Sequence, residues 1–296
     1  MTHHFLQAMI DQTTPSPFGK YKGPGWVTFL SSVTTSSCPA IRQFAEHPTT
    51  KGRLVGGPGF CSLYRYSESP FGPFDELCYS PGWYEYLNIG DRYPASAKRI
   101  TKSYVSCSET QIAKIRYELG IPAERAQFKW NVFPTGEISV QVTLPNGVQV
   151  IDLLFKRTSF PSFTVNSKSL ISDWLDLAKL SPIVQPLLDG RQVPVLPNMD
   201  PDSPLLTSAP LLKSHTTIRG ESGFATLVRV STNRDLFPPI EEAGVSRYGF
   251  AFLDAELIVR PPEVVLDVVT PGEHKSGSVW RFFSTWFKGL IFVWKK

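Results

Sequence analysis

The chain has 296 residues, of which 42% are hydrophobic and 19% charged, and this composition supports a large folded core and excludes wholesale disorder. The formal net charge of +4 comes without a dense run of lysine and arginine outside the C-terminal tail, so we expect no nucleic-acid partner. The four cysteines contain no CxxC pair and the five histidines lack metal-ligand spacing, so we expect reduced thiols and no metal site. The N-terminus lacks the pattern of a secretory signal, which favours a cytoplasmic location.

Short runs of aromatic and β-branched residues, separated by glycine and proline, predict strands along most of the chain. In chain order the predicted strands cover 26–33, 74–80, 83–89, 98–107, 126–133, a hairpin at 137–155, 215–231, 246–253 and 256–268. The hairpin has the clearest pattern, because apolar residues alternate through Ile138, Val140 and Val142, and Asn146-Gly147 supplies a turn with positive φ.

Helices are predicted at only two places. At 108–119, Ser108 and Gln111 form the capping-box pattern, and apolar residues follow at helical spacing. Gly120 can close this helix in the left-handed conformation, and a proline two residues later prevents its continuation. A second helix is predicted around 169–180. Many strands, two helices and no βαβ alternation predict a mostly antiparallel α+β or closed-barrel architecture.

Two segments in the C-terminal half have unusual composition. Residues 181–210 contain seven prolines together with leucine and valine, which predicts an ordered crossover within a single domain over 1–275. In the tail, 276–296, basic residues recur every seven positions among many aromatic residues. This pattern favours a helix that contacts a membrane surface through 278–296, or one that docks on its own barrel or on a second subunit of a homo-oligomer. Both alternatives remain open at this stage.

Two segments of the sequence together resemble the acetoacetate decarboxylase-like superfamily. They are SPFGPFDELCYSPG at 69–82 and AKRITKSYVSCSETQIAKIRYELGIPAERAQF at 97–128. The family pattern is a Gly-Pro-Tyr/Phe-Asp-Glu-Leu strand, an IT-x-x-YV-S strand, a helix and a Gly-x-Pro-Lys turn. The resemblance implies a conical, mostly antiparallel β-barrel with a few flanking helices and a ligand cavity inside.

The same resemblance bears on covalent chemistry. In that family the lysine after the turn proline forms a Schiff base with a β-keto acid, and a neighbouring cation lowers its pKa. Here Pro122 matches the proline, Ala123 stands in place of the lysine, and Glu124 stands in place of the neighbouring cation. Alanine cannot form an imine, so we expect no Schiff-base decarboxylation at this turn.

The resemblance also implies a set of site residues. Glu76 falls on the family's active-site glutamate, and Arg116 matches an arginine of the family's helix, so both are candidate catalytic residues. The candidate substrate-binding residues are Phe74, Cys61, Tyr104, Ala123 and Glu124. The simpler alternative is that Glu76 takes part in an ion pair within the barrel and that Arg116 holds the helix against the sheet.

A buried glutamate with a raised pKa can act as a general acid or base at neutral pH. We therefore predict a biosynthetic enzyme of specialised metabolism that acts on a hydrophobic keto or polyketide-like molecule. Its chemistry is expected to be non-covalent, of the lyase, dehydratase or cyclase type, and to need no cofactor. Two alternatives remain: a non-catalytic barrel that binds a lipid or metabolite, and a decarboxylase with a relocated lysine such as Lys102 or Lys129.

Overall fold

The computed structural model describes a part of the chain that contains most of the predicted strands. The described residues are 14–30, 53–57, 59–85, 96–158, 163–166, 183–186, 188, 210–214, 216–240 and 245–266. The predicted helix at 169–180, most of the 181–210 crossover and the tail at 276–296 lie outside these residues.

The described residues form seventeen strands and one helical segment. In chain order the strands are β1 (Gly19–Leu30), β2 (Arg53–Gly56), β3 (Gly59–Tyr66), β4 (Phe74–Ser80), β5 (Trp83–Glu85), β6 (Ser96–Lys98), β7 (Lys102–Val105), β8 (Ala123–Arg125), β9 (Gln127–Val132), β10 (Glu137–Thr143), β11 (Gln149–Arg157), β12 (Phe163–Asn166), β13 (Ile183–Pro186), β14 (Pro210–Ser214), β15 (Thr216–Thr232), β16 (Val245–Val259) and β17 (Glu263–Leu266). The helical segment is α1 (Glu109–Lys114), which continues as a π-helical turn (Ile115–Leu119).

The larger of two sheets contains eleven strands in the order β8-β7-β4-β3-β1-β16-β15-β11-β10-β9, with β12 paired to β15. Its pairs are antiparallel except for β7 with β8. Four strands lie between β1, which carries Trp26, and β9, which carries Trp130, yet the ring centroids of these two residues lie 5.4 Å from each other. The end strands β8 and β9 are joined through Ala126 alone. The sheet therefore curls into a nearly closed barrel, which confirms the predicted fold class.

Each face of the large sheet carries its own apolar core, because side chains alternate between the faces along every strand. The concave face, inside the barrel, includes Trp26, Leu77 and Ile151. The convex face includes Val27 and Tyr64, and it packs against α1 and against part of the second sheet. We call these the concave core and the convex core.

The second sheet has six strands in the order β17-β14-β13-β6-β5-β2. Ile183 on β13 packs against the convex core. Its neighbour Val184 faces the other way, into a small core with Tyr84 and Leu211. The second sheet therefore covers the convex face of the barrel, so that this face becomes an interior layer between two sheets.

Helix α1 begins with the predicted capping box. The Ser108 backbone N–H donates to Gln111 Oε1 at 2.9 Å, and the Gln111 backbone N–H donates to Ser108 Oγ at 3.4 Å. The three apolar residues at helical spacing, Ile112, Ile115 and Leu119, are all buried, as expected from their stripe.

The π-helical turn ends at Gly120, whose φ is 66°. A Cβ atom at this position would lie 2.3 Å from the carbonyl oxygen of Pro186 on β13. Glycine is therefore required here twice, for its left-handed backbone and for the close approach of the second sheet. The sequence predicted the first reason but not the second.

Several of the predicted strand boundaries differ from the structure, and the strand predicted at 26–33 already begins at Gly19. The predicted strand at 98–107 is divided into β6 and β7, which belong to different sheets. The strands predicted at 246–253 and 256–268 are instead the continuous β16 followed by β17. The register of β16 shifts at Leu253 against β1 and β15, because a bulge interrupts the regular alternation there. The predicted hairpin is confirmed as β10 and β11.

Candidate active site

Glu76 lies near the middle of β4, with its side chain directed to the convex face. Alternation along β4 places Phe74 and Cys78 on the same face, and both belong to the convex core. The residues directly opposite Glu76 are Tyr64 on β3 and Val105 on β7, which also belong to this core. The carboxyl group is therefore set among the residues of the convex core.

Both oxygens of the Glu76 carboxyl group accept a hydrogen bond. The Tyr66 hydroxyl donates to Oε2 at 2.9 Å, and the Cys78 thiol donates to Oε1 at 3.2 Å. The same thiol lies 3.6 Å from the Ser103 hydroxyl oxygen on β7. A carboxylate has about four lone-pair positions, so two donors hold its orientation and leave positions open for a proton from a bound molecule.

The pKa values of this cluster are displaced by burial. Burial raises the pKa of Glu76, although the hydrogen bonds from Cys78 and Tyr66 act in the opposite direction. Burial also raises the pKa of the Cys78 thiol and of the Tyr66 phenol well above their usual values. At neutral pH both groups therefore keep their protons and act as donors. Glu76 is the member of the cluster that can exchange a proton.

Aromatic rings make the surroundings of the carboxyl group apolar. The rings of Tyr64 and Tyr66 stack with centroids 5.5 Å apart, and the Phe74 ring lies 4.8 Å from that of Tyr66. The Tyr21 ring packs edge-on against Tyr66 at 5.1 Å. Apolar walls weaken screening, and this both raises the pKa of the carboxyl group and strengthens its interaction with a nearby polarised bond.

The turn after α1 brings Ala123 to the same face. Ala123 begins β8, pairs with Ser103 on β7, is 1% exposed and belongs to the convex core. The Arg116 Nη1 donates to the Ala123 carbonyl oxygen at 3.4 Å, so this guanidinium contacts the backbone of the turn. A methyl group therefore occupies the position at which the family resemblance expects an amine.

Three of the predicted substrate-binding residues, Cys61, Tyr104 and Glu124, do not lie in the convex core beside Glu76. Cys61 and Tyr104 belong to the concave core, and the Tyr104 hydroxyl donates to the Leu236 carbonyl oxygen at 2.8 Å. Glu124 forms an ion pair with Lys102, with Nζ and Oε1 2.5 Å apart. The sheet separates its two faces, so a small molecule held at Glu76 does not contact Cys61 or Tyr104. Glu124 follows Ala123 directly on β8, so its side chain lies on the opposite face from that of Ala123.

The two lysines considered as relocated nucleophiles also lie elsewhere. The Lys102 ammonium is paired with Glu124 and lies 5.2 Å from the centroid of the Tyr104 ring. Lys129 is exposed on β9, five strands from β1 in the sheet order. Neither lysine lies beside Glu76.

The sequence did not predict Tyr66 and Cys78 as hydrogen-bond donors to Glu76, or Ser103 as a contact of the Cys78 thiol. The alternation within β4 was a sufficient signal for Cys78, because residues two apart on a strand share a face. Tyr66 and Ser103 belong to neighbouring strands, so their contact depends on a register that no local pattern supplies.

Two other features are absent from the described residues, a metal-binding cluster and a helix that could span a membrane. In this part of the chain, no three His, Cys, Asp or Glu side chains are grouped so that they could hold a metal ion. Within the same residues, none of the helical structure has the length and apolar character needed to cross a membrane. Cys61, Cys78 and Cys107 are buried free thiols, as predicted, while Cys38 lies outside the described residues.

The chain is similar in fold to solved structures, although neither protein-family models nor curated protein sequences give a match. The enduracididine biosynthesis enzyme MppR complexed with pyruvate aligns over 87% of this chain and 93% of its own, with a TM-score of 0.50 and 11% identity. An acetoacetate decarboxylase-like enzyme from Sphingomonas wittichii RW1 aligns over 84% of this chain and 94% of its own, with a TM-score of 0.49 and 10% identity. At such identities the likeness concerns the fold alone, and it shows that the chain is similar in fold to the MppR structure.

Proposed function

We propose that the chain is a biosynthetic enzyme that uses Glu76 as a general base and acid on a hydrophobic keto compound. The observation that carries the proposal is the Glu76 carboxyl group, oriented by Tyr66 and Cys78 within an apolar layer. Burial raises the pKa of this carboxyl group towards the range in which one group can both take and return a proton.

In the proposed reaction, Glu76 removes a proton from the carbon next to the substrate carbonyl. The electron pair of the broken C–H bond moves into the carbon–oxygen system and gives an enolate. Tyr64 lies directly opposite Glu76 across the strands, and burial raises the pKa of its phenol, so its O–H remains available to donate to the enolate oxygen. The proton on Glu76 can then go to a hydroxyl group on the next carbon, whose C–O bond breaks so that water leaves. Alternatively, the enolate carbon attacks a second carbonyl group of the substrate, and the proton goes to the alkoxide oxygen that this attack forms.

The absence of an amine at position 123 favours this non-covalent route over a Schiff base. Ala123 lies in the convex core with Cys78, the thiol that donates to Glu76. MppR, the structure with the similar fold, was solved with pyruvate, a keto acid. This supports a keto compound as the class of substrate here, and the aromatic rings around Glu76 favour a larger, apolar one than pyruvate.

Deuterium exchange tests proton transfer without knowledge of the complete reaction. The protein is incubated in D2O with a set of ketones and keto acids, and NMR follows the loss of the protons next to the carbonyl. General base catalysis typically contributes 10²–10⁴-fold, so the Glu76→Gln variant is expected to lose roughly that factor. The Glu68→Gln variant is the control, because Glu68 is an exposed glutamate paired with Lys22.

The alternatives predict different results in the same experiment. A non-catalytic binding barrel would bind the ketones in a titration but give no exchange above that of the buffer, with or without Glu76. A decarboxylase with a relocated lysine would give a covalent adduct after borohydride reduction, detectable by mass spectrometry. Exchange that persists unchanged in Glu76→Gln would remove Glu76 from the mechanism.

A further inference from the structure

A glutamine in the second sheet is buried without a hydrogen-bond partner at either end of its amide. Gln185 lies on β13 and is 1% exposed. In the described part of the chain, neither its Nε2 nor its Oε1 has a partner. An unpartnered buried amide destabilises a fold, whereas an apolar residue of similar size would not. The proposed site around Glu76 does not account for this residue.

The Gln185 side chain faces the layer that contains Glu76. Ile183, two residues earlier on β13, shares its face and packs against the convex core. A Cβ atom at Gly120 would lie 2.9 Å from Gln185 Cβ, so the side chain starts directly at the end of the π-helical turn. That turn leads to Ala123 in the convex core. The amide is therefore placed between the second sheet and the turn.

Polar groups continue along this face of the second sheet. Ser214 on β14 lies directly opposite Ile183, and its buried hydroxyl also has no hydrogen-bond partner in the described residues. Lys98 on β6 pairs with Ile183 from the other side and is 3% exposed, with its ammonium 4.9 Å from the centroid of the Trp83 ring. A sheet face that packs only against apolar groups would not carry these side chains.

We propose that Gln185 recognises a carboxamide group of the substrate, held through two hydrogen bonds between the two amides. The ligand N–H donates to Oε1, and the ligand carbonyl accepts from Nε2, so both atoms of Gln185 gain a partner. A carboxylate has no donor and a ketone has no donor, so either one leaves Oε1 unsatisfied. Ser214 supplies a further hydroxyl at the edge of the same subsite.

The spacing between the two groups indicates an elongated substrate. Three residues from Gly120 to Ala123 span at most about 11 Å. Ala123 on β8 and Glu76 on β4 are two strand spacings apart, and neighbouring strands lie about 4.8 Å from each other, so the path from Gln185 past Ala123 to Glu76 is up to roughly 20 Å. The substrate class is therefore a chain with an amide at one end and a keto group towards the other. This inference rests on the proposed function in placing the keto group at Glu76, while amide recognition is measured by binding alone.

Three matched probes and two variants test the inference. The probes are 9-oxodecanamide, 9-oxodecanoate and decan-2-one, whose affinities for the full chain are measured by calorimetric titration. Wild-type protein is expected to bind the amide about tenfold or more tightly than the other two, since one to two net hydrogen bonds correspond to roughly that factor. Gln185→Leu should lose this preference while its Tm stays equal or rises. Gln149→Leu is the control, on a glutamine paired with Gln141 in the distant hairpin.

Several results of these titrations would overturn amide recognition by Gln185. Equal affinity for the three probes, tighter binding of the carboxylate, or no binding of the amide to wild type overturns the inference. An unchanged preference in Gln185→Leu overturns it as well and assigns the amide to internal packing. The proposed function fails separately, if 9-oxodecanamide binds with the expected preference but shows no deuterium exchange beside its keto group.

Discussion

Replacing Glu76 by glutamine is expected to make the protein more stable at neutral pH while removing its chemistry. The substitution keeps the size of the side chain and leaves an oxygen that can accept from Tyr66 or Cys78. It removes the charge that burial disfavours, and burial is the largest influence on the pKa of this carboxyl group. A stabilised inactive variant is typical of a residue retained for function.

The sign of the pH dependence follows from the raised pKa of Glu76. The relevant pH window lies between the pKa of glutamate in the unfolded chain, about 4.3, and the higher pKa of Glu76 in the folded chain. In this window the carboxyl group is protonated in a larger fraction of folded than of unfolded molecules. The free energy of unfolding therefore falls as pH rises through that window, by up to about 1.4 kcal/mol per pH unit for one proton. The Glu76→Gln variant has no carboxyl group to titrate at this position, so its free energy of unfolding lacks this pH dependence. The free energies of unfolding of the two proteins should differ least below about pH 4, where the glutamate is neutral in both states.

Denaturant unfolding of wild type and Glu76→Gln at a series of pH values measures this difference. For a domain of this size, each 1 kcal/mol corresponds to a Tm change of roughly 2–4 °C, so thermal unfolding gives a second reading. Glu68→Gln should follow the wild-type curve, because the Glu68 side chain is 65% exposed. If Glu76→Gln and wild type differ by a constant amount at every pH, the carboxyl group is not held at a raised pKa and the reasoning fails.

Further predictions concern the turn, the donors, the thiols and the tail. Gly120→Ala should destabilise the fold by about 2 kcal/mol or more, because the residue has positive φ and its Cβ would meet the Pro186 carbonyl oxygen; denaturant titration measures this. Tyr66→Phe removes a donor to Glu76, so the exchange rate should reach its plateau at higher pH. The three described cysteines should react slowly with iodoacetamide at pH 7 in the native protein, since burial raises their pKa values, to about 12 for Cys61. Deleting 276–296 should abolish sedimentation with liposomes.

Contrary results are equally specific. A Gly120→Ala variant as stable as wild type would show that the second sheet does not approach the turn as closely as described. An unchanged pH profile in Tyr66→Phe would remove this phenol as a donor to the carboxylate. Rapid alkylation would place a thiol at the surface, and a full-length protein that never sediments with liposomes would exclude the membrane alternative for the tail.

Features encoded by short segments were predictable from the sequence. The capping box at Ser108 and the closing glycine at Gly120 depend on neighbours along the chain, and both are confirmed. The same is true of the hairpin around Asn146-Gly147, where alternation and turn chemistry agree. The position of Glu76 on β4 was also predictable, because the motif around it is contiguous.

Features that depend on register or on distant segments were not predictable. Tyr104 and Cys61 were expected to contact the substrate, but pairing across β3, β4 and β7 directs them into the concave core. A shift of one residue reverses the face of every side chain on a strand, and a single sequence does not fix that shift. The Gln185 subsite depends on a second sheet assembled from short strands far apart in the chain.

An NMR titration of the Glu76 carboxyl carbon, assigned by its absence in Glu76→Gln, tests most directly whether Glu76 transfers a proton. We expect a midpoint above that of an ordinary glutamate, about 4.3, because burial outweighs the two hydrogen bonds. Binding of 9-oxodecanamide should shift the signal, since the keto group is expected to lie beside the carboxyl group. A midpoint at or below the ordinary value, with no response to any bound ketone, would contradict Glu76 as the proton-transferring group.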